Sequence, residues 1–362
     1  MLSILFQTED ALKTWLTENG EKPFRASQIL SWLSKPGVTS FDDMKNLPAG
    51  LKQKLADAFT FRTAQVVQTS QSPWATKALL KLHDGETIEC VMLTDDKGRH
   101  TVCLSTQVGC AMGCLFCATG QTKSESGKCF IRNLEAEEIV EQVLIFQDML
   151  HSQTTSNPSA NASSDSDRIS NIVVMGMGEP GLNLDNLLPA LDWLSNNLEI
   201  GARKITISTV GIISGIERLA HSGKQYHLAV SLHASNDELR NRIVPTNAGI
   251  GIQNILRAAD DFFDVTGRRI TYEYVLLGGV NDSPQCAQEL TQILRGRNAL
   301  VNLIPYNEVE GLPFKRPYPD KIDAFVRTLE TGGVQVQVRK EKGGRIDAAC
   351  GQLRRKAVSK NN

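Results

Sequence analysis

The chain has 362 residues, is 41% hydrophobic, and sets 39 basic against 40 acidic side chains for a formal net charge of −1. That length buries one large core and a small additional domain. No apolar run approaches bilayer length, which excludes a spanning segment, and the balanced charge leaves nucleic-acid binding to local basic surface alone. The first residues carry acids early and no basic region, so they do not read as a signal peptide. Eight unevenly spaced cysteines then suit reduced thiols in the cytoplasm.

Residues 1–70 predict a small N-terminal helical domain. Leu12, Trp15 and Leu16, then Ile29, Trp32 and Leu33, then Leu51 and Leu55 fall at helical spacing. Lys22, Arg25, Lys45, Lys52 and Lys54 are available to phosphates, yet Glu21, Asp42 and Asp43 lie among them, and composition favours a solvated face. Residues 71–101 predict a β-hairpin extension, with strands at 78–82 and 88–93 around Asp84-Gly85 and a second turn at Asp95 to Gly98.

From 102 to 340 strands and helices alternate. Strands are expected at 102–105, 172–175, 204–208, 228–232, 270–276, 301–304 and 334–338, and helices at 134–150, 184–198, 213–221, 252–263, 286–294 and 324–331. Such alternation predicts an α/β fold, an incomplete TIM-like (β/α)6 barrel with its parallel sheet inside. The polar, low-complexity stretch 152–167 reads as a disordered insertion, and 341–362 as a C-terminal tail.

The sharpest feature is the run from Cys103 to Cys117. Cys110, Cys114 and Cys117 form a C-x3-C-x2-C triplet, with Cys103 seven residues upstream. Three thiolates are one short of an ordinary iron–sulfur cluster. A cubane cluster held by three keeps one iron open to chelate a small molecule. Structural zinc wants four protein ligands, and neither Cys103 nor Cys129 completes a paired pattern. The spacing, with Phe116 before the last cysteine, resembles the radical S-adenosylmethionine (SAM) superfamily. That resemblance implies a 4Fe–4S cluster whose open iron grips SAM, which one electron cleaves to a 5′-deoxyadenosyl radical.

Chemistry in parallel barrels sits at the C-terminal strand ends. Gly176-Met177-Gly178-Glu179-Pro180, Ser208, Ser231-Leu232-His233, the stretch 277–282 and Asn307 all fall there. Singly each reads as a turn, and His233 reads equally well as a packed histidine; together they mark one face. Near the chain end, Cys350 lies among small residues in Asp347-Ala348-Ala349-Cys350-Gly351-Gln352-Leu353. It suits a reactive thiol, with a plain buried cysteine as the alternative.

Together these stretches resemble the RlmN/Cfr family of radical SAM adenine methyltransferases, over the chain from about Phe24 to Leu353. Generic radical SAM enzymes share the triplet but not the pair Cys103 and Cys350. The resemblance implies that Cys350 takes a methyl group from one SAM, that a second SAM activates it, and that the resulting carbon radical adds to adenine. Cys103 then releases the product as a Cys103–Cys350 disulfide, which is reduced before the next turnover. It implies that Glu89 accepts the ring proton, against the plainer reading of an exposed strand carboxylate. It also implies that Gly178, Glu179, Ser208, Ser231, Leu232, His233 and Asn307 contact SAM. The implied substrates are adenine carbon 2 in 23S rRNA and in tRNA beside the anticodon, held by the N-terminal helices. The implied partner is an electron donor such as flavodoxin, serving a monomer.

Pro180 fits the carbon-2 branch; the carbon-8 antibiotic-resistance branch, the alternative, typically carries alanine there. Cys90, Cys129 and Cys286 are left as structural. Three departures are visible: Gly181 where a larger apolar residue is expected, Gly344 and Arg345 where acids are usual, and the long insertion. Two competing functions stay open, a radical SAM enzyme acting on a small molecule or protein glycyl site, and a zinc-stabilised RNA-binding protein.

Overall fold

The computed structural model describes residues 2–124, 127–156, 168–339 and 346–354. Gly344, Arg345 and most of the 152–167 insertion lie outside them.

The N-terminal sixty residues close on themselves, because β1 (Leu2–Ser3) pairs in parallel with β2 (Phe59–Thr60). Between them run α1 (Glu9–Glu18), α2 (Arg25–Leu33) and α3 (Ala49–Ala58). Thr8 starts α1 by accepting from the Ala11 amide, and Glu9 and Asp10 complement the helix dipole. Leu12, Leu16, Ile29, Leu33, Leu51 and Leu55 are buried together, as their spacing predicts, while Trp15 and Trp32 are only partly covered. The Glu141 carboxylate takes the Thr63 and Ala64 amides at 2.9 and 2.7 Å and so fixes the exit from these helices onto the larger body.

Ten strands form one sheet. It opens with an antiparallel meander of β3 (Gln65–Ser72), β4 (Ala75–Lys81) and β5 (Thr87–Thr94). β5 pairs antiparallel with β6 (His100–Cys103), after which β7 (Gln107–Gly109), the short helix α4 (Ala118–Gln121) and β8 (Phe130–Asn133) make an outlying hairpin. Then come α5 (Ala136–Ser156), β9 (Ile169–Val174), α6 (Leu184–Leu198), β10 (Ile205–Thr209), α7 (Ile213–Ala220) and β11 (His227–Ser231). The chain continues through α8 (Asp237–Ile243), α9 (Ile252–Thr266), β12 (Ile270–Leu276), α10 (Pro284–Leu294), β13 (Ala299–Pro305), α11 (Pro319–Thr331) and β14 (Gln335–Val338).

β6 and β9 to β14 are mutually parallel. Among the described residues β14 pairs only with β13, and β3 only with β4, so both are edges and the barrel stays open, as the repeat pattern predicts. The inner parallel strands β9 to β13 are largely buried, apolar-rich runs, which is why they read clearly, while the edge strand β14, Gln-Val-Gln-Val, is mostly exposed. β3 was not expected: Gln-Val-Val-Gln-Thr-Ser-Gln-Ser is mostly exposed and shows no apolar alternation. No helix is long and apolar enough to cross a membrane, among the described residues.

Candidate active site

The loop after β6 is pinned before it reaches its cysteines. The Ser105 amide donates to Gln142 Oε1 at 2.8 Å, and Gln142 Nε2 returns a bond to the Ser105 carbonyl at 2.9 Å. Gly109 has φ 78°, and a Cβ there would lie 1.8 Å from the Cys129 carbonyl, so only glycine permits this approach. The Cys110 amide then donates to that same carbonyl. Further on, the Leu115 amide donates to Ile243 O at the end of α8, and the Phe116 ring meets His233 edge-on at 4.9 Å.

Cys110, Cys114 and Cys117 line one cavity at the C-terminal strand ends. Of the residues expected to contact SAM, Gly178, Glu179, Ser208, Ser231, His233 and Asn307 line it too. Leu232 does not; its side chain is buried in the core and its carbonyl accepts from Arg240 Nε. Gly178, at φ 104°, lets backbone pass where a Cβ would meet Gln107 at 2.6 Å.

Burial pushes the Cys110 thiol up to about 12 and Cys114 well above its ordinary range. Cationic irons would offset that cost by binding thiolates, so this donor set fits a cluster. The wall supplies three thiols, which suits a cluster with one open iron and is one short of the four protein ligands of structural zinc.

Several buried groups fix this wall. Glu179 takes the Val210 and Gly181 amides at 2.8 and 2.9 Å, and burial raises its pKa. The Ser208 and Ser231 hydroxyls meet at 3.2 Å. His233 sits at φ 60°, a costly conformation for a non-glycine residue, and accepts the Val275 amide at Nδ1. Burial, then the nearby Arg240 charge, pushes its pKa down to about 3, so the ring is neutral.

Arg240 is fully buried and clamps the strand ends from behind. It donates to the carbonyls of Leu232, Val210 and Ser231 at 2.9, 2.6 and 2.9 Å, and to Asn247 Oδ1. Sequence reasoning missed Arg240, Arg339 and Glu273. α8 was not among the expected helices; the Asn236 cap followed by Asp237 and Glu238 is a signal that could have found it, but nothing marks a buried cation on it.

A second, smaller cavity is lined by Cys103 and Cys350 together. Met175, Ile304, Asn307, Arg339 and Cys350 border both cavities, so the two are contiguous. All eight cysteines are free thiols. Burial pushes the Cys103 thiol up to about 12; Cys350 adds to the rise and Arg339 opposes it.

Cys350 arrives on a segment with several polar ties. Gly351 O accepts from the Ala118 amide, and Leu353 O from Thr119 Oγ1 at 2.6 Å. Glu89 lines neither cavity. It is buried, 3.1 Å from Lys77 Nζ, and takes the Arg354 amide at 2.9 Å, while Lys77 Nζ also donates to Asp347 O. Of the remaining cysteines, Cys90 and Cys286 are buried in the core and Cys129 is half-buried beside Cys110. Gly181 has its own reason: a Cβ would lie 2.9 Å from Ile212, and Gly215 packs on its Cα.

Comparisons with known proteins agree with this geometry. The model of the ribosomal RNA large subunit methyltransferase N-terminal domain matches residues 3–61, and that of the radical SAM superfamily matches 104–285. A probable dual-specificity RNA methyltransferase RlmN of Rhodopirellula baltica is 48% identical over 349 residues, 96% of this chain and 89% of that protein. Its Bacillus subtilis counterpart is 44% identical over 353 residues, 96% and 91% of the two chains. The crystal structure of a radical SAM methyltransferase from Sphaerobacter thermophilus superposes with a TM-score of 0.87 at 38% identity, covering 98% of this chain and 99% of that one. A cysteine triplet on a cavity lined by strand ends and relatives alike over nearly the whole length lead to one conclusion: the chain belongs to the RlmN family of radical SAM RNA methyltransferases, enzymes that use a 4Fe–4S cluster and SAM.

Proposed function

We propose that this enzyme methylates carbon 2 of adenine in 23S rRNA and in tRNA beside the anticodon, through a methylated Cys350. The observation that carries the reading is the sharing of one cavity by Cys103 and Cys350, continuous with the cavity of the cysteine triplet. Adenine carbon 2 lies between two ring nitrogens and is electron-poor, so it does not attack a sulfonium methyl group directly. A protein sulfur is the better acceptor.

Cys110, Cys114 and Cys117 hold the cluster, and the wall around Glu179, Ser208, Ser231 and His233 positions SAM. When bound, these groups supply the methyl group and the one-electron chemistry that activates it. Cys350 accepts the methyl group and later joins the base covalently. Glu89, beside Lys77, receives the ring proton; its placement outside both cavities makes this a role for the RNA-bound arrangement. Cys103 then attacks Cys350, freeing the product and leaving a disulfide for reduction. The target base is flipped out to reach the buried site, and Pro180 supports the carbon-2 branch. The reading includes a cytoplasmic monomer, N-terminal helices that hold the RNA, and a donor such as flavodoxin.

Changing Cys350→Ala tests it. Methyl loading of the protein and base methylation should both vanish while SAM cleavage persists, read by peptide mass spectrometry and nucleoside analysis. Continued formation of 2-methyladenosine would overturn the reading.

A further inference from the structure

Arg339 follows β14 and is anchored by its amide, which donates to Leu303 O at 2.9 Å. It lines both cavities, and among the described residues it is the only cationic side chain lining either. No described carboxylate lies within ion-pair distance of it; its side-chain contact is Nη1 to Met175 Sδ at 3.9 Å. A half-buried guanidinium facing a thioether has no direct ion-pair partner among the described residues. Glu273 lines the larger cavity with it but lies beyond ion-pair distance and takes Asn302 Nδ2 at 2.8 Å. In the smaller cavity the only acidic side chains lining the wall with Arg339, among the described residues, are the thiols of Cys103 and Cys350.

We propose that Arg339 is the positioning residue that holds Cys350 as a thiolate at the junction of the two cavities. The proposal rests on the reading that Cys350 accepts a methyl group. Transfer forms the bond from the Cys350 sulfur to the methyl carbon and breaks the bond from that carbon to the sulfonium sulfur. The electron pair stays on that sulfur, giving S-adenosylhomocysteine. The thiol proton leaves to solvent beforehand, and nothing is oxidised. Methylation cancels the charge on Cys350, so Arg339 is freed to face Cys103, the next sulfur that must act as a nucleophile. One fixed cation thus serves two thiolates in turn.

Other charged groups surround the tail. Lys77 of β4 and Glu89 of β5 pair with each other, Glu273 of β12 lines the larger cavity, and Asp347 and Arg354 lie on the tail itself. None of these lines the smaller cavity, so the variant at position 339 isolates one charge.

The test is the pH profile of iodoacetamide alkylation at Cys350. It is read by mass spectrometry on the unmethylated Cys350 peptide, in full-length cluster-loaded protein without SAM. In Arg339→Ala and Arg339→Gln the midpoint should rise by about one pH unit, so alkylation below the midpoint slows about tenfold. Arg339→Lys should stay within about threefold of wild type. Loss of packing would raise the plateau rate by opening the cavity and, by hydrating the thiolate, would lower the midpoint rather than raise it. An unmoved or lowered midpoint in whichever of the Ala and Gln variants keeps its cluster absorbance overturns the proposal. So does an unmoved midpoint with weakened RNA binding, which would make a phosphate the partner of Arg339. Failure of the underlying reading looks different: wild-type protein incubated with SAM would show no added methyl on Cys350, whatever the profiles do.

Discussion

The strand-end wall of the larger cavity is held from behind by buried polar groups, whereas the segment carrying Cys350 is held at its margins by single hydrogen bonds. Arg240 joins three carbonyls from two strand ends, and Asn281 Nδ2 bridges His233 O and Val275 O, all by direct hydrogen bonds. The tail instead leans on Thr119, Ala118, Lys77 and the Glu308 carbonyl, with Ala348, Ala349 and Leu353 as its small apolar footing. The wall suits a task done once, at folding. The tail suits a sulfur that must meet different partners within one cycle. Contacts worth about 1 kcal/mol each are exchangeable on that scale, and a desolvated guanidinium is not.

The largest effect that could break this contrast is at the triplet. Cys114→Ala should abolish both visible cluster absorbance and RNA methylation; a colourless protein that still methylates RNA would remove the cluster from the account. Next is Arg240→Ala. Stranding three carbonyls and emptying a buried site should cost about 3–5 kcal/mol in urea unfolding. A cost below about 1 kcal/mol would mean the wall stands without its clamp.

The wall should also be acid-sensitive through His233. Its folded pKa, near 3, is depressed below the unfolded 6.5, so its contribution is present above pH 6.5 and lost as pH falls toward 3. By pH 5 that loss is about 2 kcal/mol. The wild-type stability should therefore drop relative to His233→Gln between pH 7 and pH 5, and parallel curves would contradict a neutral buried ring. The smallest effect is Thr119→Val, which removes the hydroxyl bond to Leu353 O. About 1 kcal/mol of local tethering should appear as roughly fivefold faster hydrogen exchange over 346–354, with global unfolding unchanged. A shift in global unfolding instead would place the tail with the wall.

The inner parallel strands were legible because they are short, largely buried, apolar-rich runs between helix-period stretches, and the cluster loop because three cysteines at fixed spacing leave few alternatives. The facing strand-end residues followed from topology. Arg240 and Arg339 were not legible, since a charged side chain is ordinarily solvated and nothing local marks one that is not. β3 escaped because both its faces are largely wet. The meeting of Cys103 and Cys350 depends on closure of the whole chain; spacing alone is silent on it, and only the family resemblance implied it.

Lys77 and Glu89 stand opposite the tail on β4 and β5, strands added at the margin of the barrel. Between them they hold Asp347 O and the Arg354 amide, one on each flank of Cys350. The antiparallel meander therefore works as a mooring, and a graft of the barrel without it would leave the terminal sulfur adrift from the chemistry it is meant to reach.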